Sequence, residues 1–229
     1  MTLKGLTIAF DLDGTLVDTA PDLIGALNTV LAECGHPPLP VASARSLVGR
    51  GARVLIEKGF AAAGEPLDAA HAPKQVDRFI EIYRSRIAAE SRPFDGLEAA
   101  LDGLSDDGAI LCVCTNKPTD LSLLLIEALN LTSRFGSIVG ADAAPKPKPD
   151  ASHFITAVEL AGGDPRRAIM VGDSETDVAT ARAAGVPVIT VPFGYTELTP
   201  EGLEGDILIQ HFSELREAVE TLLPALNGR

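Results

Sequence analysis

Leu6-Thr7-Ile8-Ala9-Phe10-Asp11-Leu12-Asp13-Gly14-Thr15 joins a short apolar run to two carboxylates two residues apart. The run has the composition of a buried strand, and Asp11 and Asp13 stand where it ends. Aspartate is depleted in strands, and carboxylates brought close resist joint ionisation. A hard cation relieves that repulsion, because carboxylate and carbonyl oxygens are the ligands Mg²⁺ accepts. Taken alone the stretch also reads as a strand ending in an ordinary Asp/Gly turn. The rest of the chain separates the two readings.

Working outward, further short apolar segments predict strands at Ala109–Cys114, Ser137–Gly140, Ala168–Val171, Val186–Val191 and Asp206–Ile209. Between the later ones the spacing predicts helices over about Pro118–Leu129, Asp150–Ala161, Glu175–Ala184 and Ser213–Leu223. Strand and helix alternating at this spacing predict an α/β fold, a doubly wound parallel sheet with helices on both faces. One interval breaks the alternation. Between Phe10 and Ala109 no convincing strand appears, only helix-like segments near Pro21–Cys34, Ala42–Val48, Ala52–Ala63 and Lys74–Ala89. A structureless loop of that length is improbable in a folded domain, so an inserted helical domain is expected, bounded near Val17–Ala20 and Glu90–Asp95.

The 229 residues suffice for a substantial core, and 46% hydrophobic with 22% charged residues is ordinary for a globular protein. The net charge of −13 disfavours binding to nucleic acid or an anionic membrane, and the absence of Trp argues against base-stacking surfaces. An anionic substrate would therefore need local cations. Cys112 and Cys114 lie inside an apolar run and read as small buried hydrophobes, and with Cys34 the count of three argues against a disulfide framework. No run reaches the length of a membrane span and the start lacks the pattern of a signal peptide, so a cytoplasmic protein is expected.

In open parallel sheets ligands bind outside the carboxyl ends of the strands. Asp11 and Asp13 follow the first strand, Thr115-Asn116-Lys117 the second and Gly172-Asp173-Ser174 the fourth. The loop after the third carries Pro145-Lys146-Pro147-Lys148-Pro149, whose alternating prolines stiffen the chain and can hold an ammonium group in place. Parallel strands would carry all four segments to one rim. Convergence of three aspartates, a threonine and a lysine is far more specific than any one segment.

These segments resemble the four motifs of the haloacid dehalogenase superfamily of phosphotransferases. Asp11-Leu12-Asp13-Gly14-Thr15-Leu16-Val17-Asp18 is similar to the first, Cys114-Thr115-Asn116 to the second, Lys146-Pro147 to the third, and Gly172-Asp173-Ser174-Glu175-Thr176-Asp177 to the fourth. The resemblance implies a Rossmann-like catalytic core over residues 1–17 and 92–229, with a C1-type α-helical cap over 18–91. It also implies a phosphatase using Mg²⁺, with Mn²⁺ accepting the same oxygen ligands. Asp11 would be the nucleophile and Asp13 the general acid and base, while Thr115 and the Asn116 amide would hold phosphate oxygens. Lys146 would neutralise the transferring phosphoryl group. The metal would lie on the Asp11 carboxylate, the Asp13 carbonyl and Asp173, with Asp177 supporting its shell. The two lysines are expected to point apart, leaving Lys148 in solvent.

Dehalogenases of the superfamily lack the second acid and need no metal, so Asp13 and Asp173 point to phosphate chemistry. Asp18 is read as the cap of the next helix. Leu47-Val48-Gly49-Arg50-Gly51-Ala52, Thr115-Asn116-Lys117-Pro118 and Phe193-Gly194-Tyr195 resemble phosphoglycolate phosphatases, in which Gly49 and Arg50 would meet a substrate carboxylate. Lys58 and Lys117 are weaker candidates, since lone lysines are usually solvated. The expected partner is a small phosphorylated metabolite, with the protein a monomer or homodimer. Alternatives are a phosphatase for sugar phosphates, nucleotides or pyrophosphate, a β-phosphoglucomutase-like mutase, and a non-catalytic binding module.

Overall fold

A computed structural model describes residues 2–227 apart from Arg50 and Glu197. Its strands are β1 (Thr7–Phe10), β2 (Val17–Asp18), β3 (Arg92–Pro93), β4 (Ile110–Cys114), β5 (Ser137–Val139), β6 (Ala168–Gly172), β7 (Val188–Thr190) and β8 (Ile207–Leu208). Six of them form one sheet in the order β5-β4-β1-β6-β7-β8, every neighbouring pair parallel. The order reverses at β1, the central strand, which makes this a doubly wound Rossmann-like sheet with its switch point at Asp11.

The helices follow from the same apolar spacing. Those between β2 and β3 are α1 (Ala20–Glu33), α2 (Val41–Ala44), α3 (Ala52–Ala62) and α4 (Ala72–Ser85). The later ones are α5 (Leu97–Asp106), α6 (Thr119–Ala128), α7 (Ala151–Leu160), α8 (Glu175–Ala184) and α9 (Leu215–Asn227). Alternate strand residues face opposite sides of the sheet. Ile8, Phe10, Leu111, Val113, Ile169 and Val171 pack with α5 and α9, whereas Ala9, Cys112, Cys114 and Met170 pack with α7 and α8. Both buried cysteines are free thiols pushed upward by burial, Cys114 to about 12, and so are inert. Helices α1 to α4 bury a second cluster around Leu27, Ile56, Phe79 and Tyr83, which Leu121 of α6 and Tyr195 join.

Two features were not foreseen. The helical segment leaves and rejoins the sheet through a two-residue antiparallel ribbon, Val17 opposite Pro93 and Asp18 opposite Arg92, too short for any periodicity to register. Helix α5 follows Gly96, whose φ of 78° reads as a turn, yet its buried Leu97, Leu101 and Leu104 recur at helical spacing. The segment expected as one helix over Ala42–Val48 is instead the single turn α2 followed by a 3₁₀ turn at Arg45–Leu47. No helix of the described residues is long and apolar enough to cross a membrane.

Candidate active site

The parallel register sets the site. Phe10 pairs with Val113 on one side and Val171 on the other, so β1, β4 and β6 all end on one rim. The ladders run one step into the loops: Asp11 donates its N–H to the Val171 carbonyl at 2.9 Å and Thr115 its own to Val139 at 3.0 Å. Asp11, Thr115 and Asp173 are consequently buried on rigid backbone rather than carried on mobile loops.

Asp173 is held from both sides. Its Oδ1 accepts from the Thr15 hydroxyl at 2.8 Å and its Oδ2 from the Tyr195 N–H at 2.7 Å. Gly14, at φ 86°, is required twice over: a Cβ there would be strained and would lie 2.6 Å from Asp173 Oδ2. Gly194 packs against the same carboxyl from the other side, leaving no room for a side chain. Burial first, then the neighbouring carboxylates Asp177 and Asp11, push Asp173 up to about 8. Burial likewise pushes Asp11 up to about 6, against the opposing pull of Lys148.

The proline-flanked loop corrects the expectation for its lysines. Lys146 is exposed, its ammonium 3.5 Å from Asp150 on the outer surface. Lys148 is the buried one, its ammonium 2.9 Å from Asp11 Oδ1 and 2.7 Å from Asp177 Oδ1. Despite the cost of burial, those two carboxylates hold its pKa above the ordinary lysine value. Three partners fix the loop. The Asn116 side chain donates to the Lys148 carbonyl at 3.0 Å and accepts the Lys148 N–H at 2.9 Å, and His153 Nδ1 accepts the same N–H at 3.1 Å. The Asn116 side-chain amide therefore braces the lysine.

Asp177 caps α8 in a reciprocal arrangement with Ser174, accepting the Ser174 N–H at 3.1 Å and its hydroxyl at 2.6 Å. Carboxylate oxygens of Asp11, Asp173 and Asp177 lie within 4.8 Å of one another, all buried. Hard oxygen donors and clustered negative charge suit a divalent cation. All three are also engaged within the protein, Asp11 by Lys148, Asp173 by Thr15 and Tyr195, and Asp177 by Lys148 and Ser174.

Asp13 faces the helical segment. Lys117, expected in solvent as a lone lysine, is buried and places its ammonium 3.0 and 3.1 Å from the Asp13 oxygens and 2.8 Å from the Tyr83 hydroxyl of α4. Asp18 does not cap α1. The cap position belongs to Thr19, without a side-chain hydrogen bond, because Asp18 instead accepts from the Tyr195 hydroxyl at 2.8 Å and from Arg45 at 3.1 Å. The Tyr195 hydroxyl also accepts the N–H groups of Thr19 and Ala20 at 2.6 and 2.9 Å. Tyr195 thereby ties the seat of Asp173 to the first turn of α1.

A cavity of about 50 Å³ lies between this rim and the helices, with Asp11, Asp13, Thr115 and Lys117 at one end and Val48, Leu55, Phe79 and Tyr83 at the other. Gly49, at φ 103°, lines it with open space where a Cβ would stand. Arg50 lies outside the described residues. Sequence reasoning placed Lys148 in solvent, ranked Lys117 only as a weaker candidate and gave Tyr195 no role beyond its place in Phe193-Gly194-Tyr195. Lys117 carried one signal, its position directly after Thr115-Asn116.

Residues 8–191 match the family model of haloacid dehalogenase-like hydrolases. The phosphoglycolate phosphatase of Caulobacter vibrioides is 55% identical over 221 residues, 96% of this chain and 93% of that protein. That of Mesorhizobium japonicum is 45% identical over 95% of this chain and 96% of its own length. Among solved structures, a predicted phosphoglycolate phosphatase from Haemophilus somnus 129pt superposes with a TM-score of 0.86 at 28% identity, covering 95% of this chain and 99% of that one.

Proposed function

Because the chain belongs to the haloacid dehalogenase-like hydrolase family, we propose that it is a phosphatase that hydrolyses 2-phosphoglycolate to glycolate and phosphate. The observation that carries the chemistry is the buried Asp11 carboxylate, aimed by Lys148 and flanked by Asp13, Thr115 and Asp173 on one rim. The substrate is the one for which the relatives of 55% and 45% identity are named. The cavity beside Asp11 and Asp13 offers the leaving group a place between the rim and the helices.

Asp11 attacks phosphorus in line, forming an aspartyl-phosphate as the ester P–O bond breaks. Asp13 gives the leaving oxygen its proton, then takes one from the water that attacks the aspartyl-phosphate and frees Asp11. Lys148 balances charge on the phosphoryl oxygens, and Thr115 supplies a hydroxyl donor to them. Asp177 holds Lys148 against Asp11, and Asn116 and His153 hold its backbone. A divalent cation, Mg²⁺ or Mn²⁺, held by the Asp11 and Asp173 carboxylates and the Asp13 carbonyl, would supply charge neutralisation at the phosphate. Residues 18–91 act as a cap that closes over the rim and excludes water. Three free cysteines suit a reducing cytoplasm.

The test is phosphate release from a panel of 2-phosphoglycolate, sugar phosphates, nucleotides and pyrophosphate. Turnover should require Mg²⁺ or Mn²⁺, cease with a chelator and be lost in Asp11→Asn. Preference for a hexose phosphate would refute the substrate; metal-independent turnover would refute the mechanism.

A further inference from the structure

The cavity has unequal ends. Beside Asp11 it is polar; toward the helices its walls are Val48, Leu55, Phe79 and Leu121, with Tyr83 among them. Lys117 stands where the two ends meet. Its side chain is 4% exposed, and its ammonium lies 4.4 Å above the Tyr83 ring centre as well as against Asp13. The leaving oxygen of an ester attacked by Asp11 must face Asp13, so the rest of the leaving group extends past Asp13 toward Lys117 and Tyr83. In 2-phosphoglycolate one methylene separates that oxygen from the carboxylate. A carboxylate placed against these apolar walls without a cation is strongly disfavoured. Lys117 offers that cation on rigid backbone, and its ammonium carries three donors to share between Asp13, Tyr83 and an incoming anion.

We propose that Lys117, seated by Tyr83, is the receptor for the substrate's carboxylate and so selects phosphorylated carboxylic acids over neutral phosphate esters. This rests on the reaction assigned above. The carboxylate joins or displaces Asp13 as a partner of the ammonium, which brings substrate selection from the rim to the residue that moves the proton. Residues on the sheet would then read both ends of the substrate, with the helical segment contributing the ring and hydroxyl that hold Lys117 in place.

A matched pair of substrates isolates the effect: 2-phosphoglycolate and 2-hydroxyethyl phosphate, which replaces the carboxylate by a neutral CH₂OH. The readout is the ratio of their kcat/KM values in the wild type, Lys117→Met and Tyr83→Phe, with thermal midpoints to confirm folding. Lys117→Met should lower the ratio on the order of 100-fold, mainly through KM for 2-phosphoglycolate. Tyr83→Phe should lower it in the same direction by roughly 5-fold, and keeps the test decisive if Lys117→Met does not fold. Equal losses for both substrates would show that Lys117 serves only Asp13 and would overturn the proposal, as would an unchanged ratio in either folded variant. A wild type that turns over both esters equally would overturn the phosphoglycolate reading itself. A wild type that prefers 2-phosphoglycolate, with Lys117→Met preferring it as strongly, would overturn the role of Lys117 alone.

Discussion

The two walls of the cavity are built on different principles. The sheet rim is a network of buried charge in which Asp11, Asp173, Asp177 and Lys148 are each held by named partners. The helical wall is mainly apolar packing around Leu27, Phe79 and Tyr83, joined to the sheet side by Leu121 and Tyr195, by the Lys117–Tyr83 hydrogen bond and by the crossing strands. A buried charge network tolerates little movement, because any separation leaves an unpaired ion. Apolar packing can separate and reform with smaller penalty per contact. The contrast agrees with the proposed division of labour, chemistry on the sheet rim and closure by the helical segment.

Breaking the rim should therefore cost activity, and the largest effect is expected for Asp11→Asn. Loss of the nucleophile should lower kcat by roughly 10⁴-fold or more while the protein stays folded by circular dichroism. Retained turnover would dissociate Asp11 from the reaction. Next comes the comparison of the two loop lysines. Lys148→Met should lower kcat about 10²–10³-fold, while the exposed Lys146→Ala should alter stability by no more than about 0.5 kcal/mol and activity little. The reverse pattern would return the role to Lys146.

The third prediction breaks the helical wall itself, where α1 meets the chain returning toward the sheet. Asp22 of α1 is fully buried and accepts the Ser91 hydroxyl at 2.7 Å, the Ser91 and Glu90 N–H groups at 2.8 and 2.9 Å, and Arg86 at 3.2 Å. Burial works to raise its pKa, but those hydrogen bonds outweigh it and hold the carboxyl below the ordinary range. Asp22→Ala should cost about 3 kcal/mol, read as a lower urea midpoint at neutral pH. A depressed folded pKa means stability that is complete above the unfolded value near 3.9 and is lost as pH falls through the folded one. Wild-type stability should therefore drop more steeply than that of Asp22→Asn below about pH 4; parallel curves would remove Asp22 from the account.

The smallest effect sharpens the rim. His153 is buried, accepting the Lys148 N–H at Nδ1 and pairing Nε2 with the Val139 carbonyl at 3.1 Å. Burial lowers its pKa, and Lys148 lowers it further against the opposing effects of the Val139 carbonyl and Asp142. The unfolded chain then takes up a proton first as pH falls, so stability present above about pH 6.5 declines below it. The thermal midpoint of the wild type should fall more between pH 7.5 and 5 than that of His153→Gln, by a few degrees at most. Equal slopes would mean that His153 does not titrate against folding.

Much of this arrangement was legible in the chain. Short continuous apolar runs located all six strands of the main sheet, and Asp11, Asp13, Thr115 and Asp173 were readable as one site because parallel strands end on one edge. What escaped was short or ambiguous: the two-residue ribbon at Val17–Asp18 and Arg92–Pro93, and α5 behind the turn signal of Gly96.

By itself, then, the sequence determined the layers and the carboxylates, because burial periodicity and strand-end position are local properties. Only the tertiary structure decided among the cations. Lys146 and Lys148 share a loop and a composition, and what separates them is that Asn116 and His153, from other segments, clamp the backbone of Lys148. Lys117 is an ordinary lysine in the chain and a buried one in the fold because Asp13 and Tyr83, 104 and 34 residues away, meet at its ammonium. An ammonium is buried only where carboxylates already wait for it, and which carboxylates those are is a property of the whole fold.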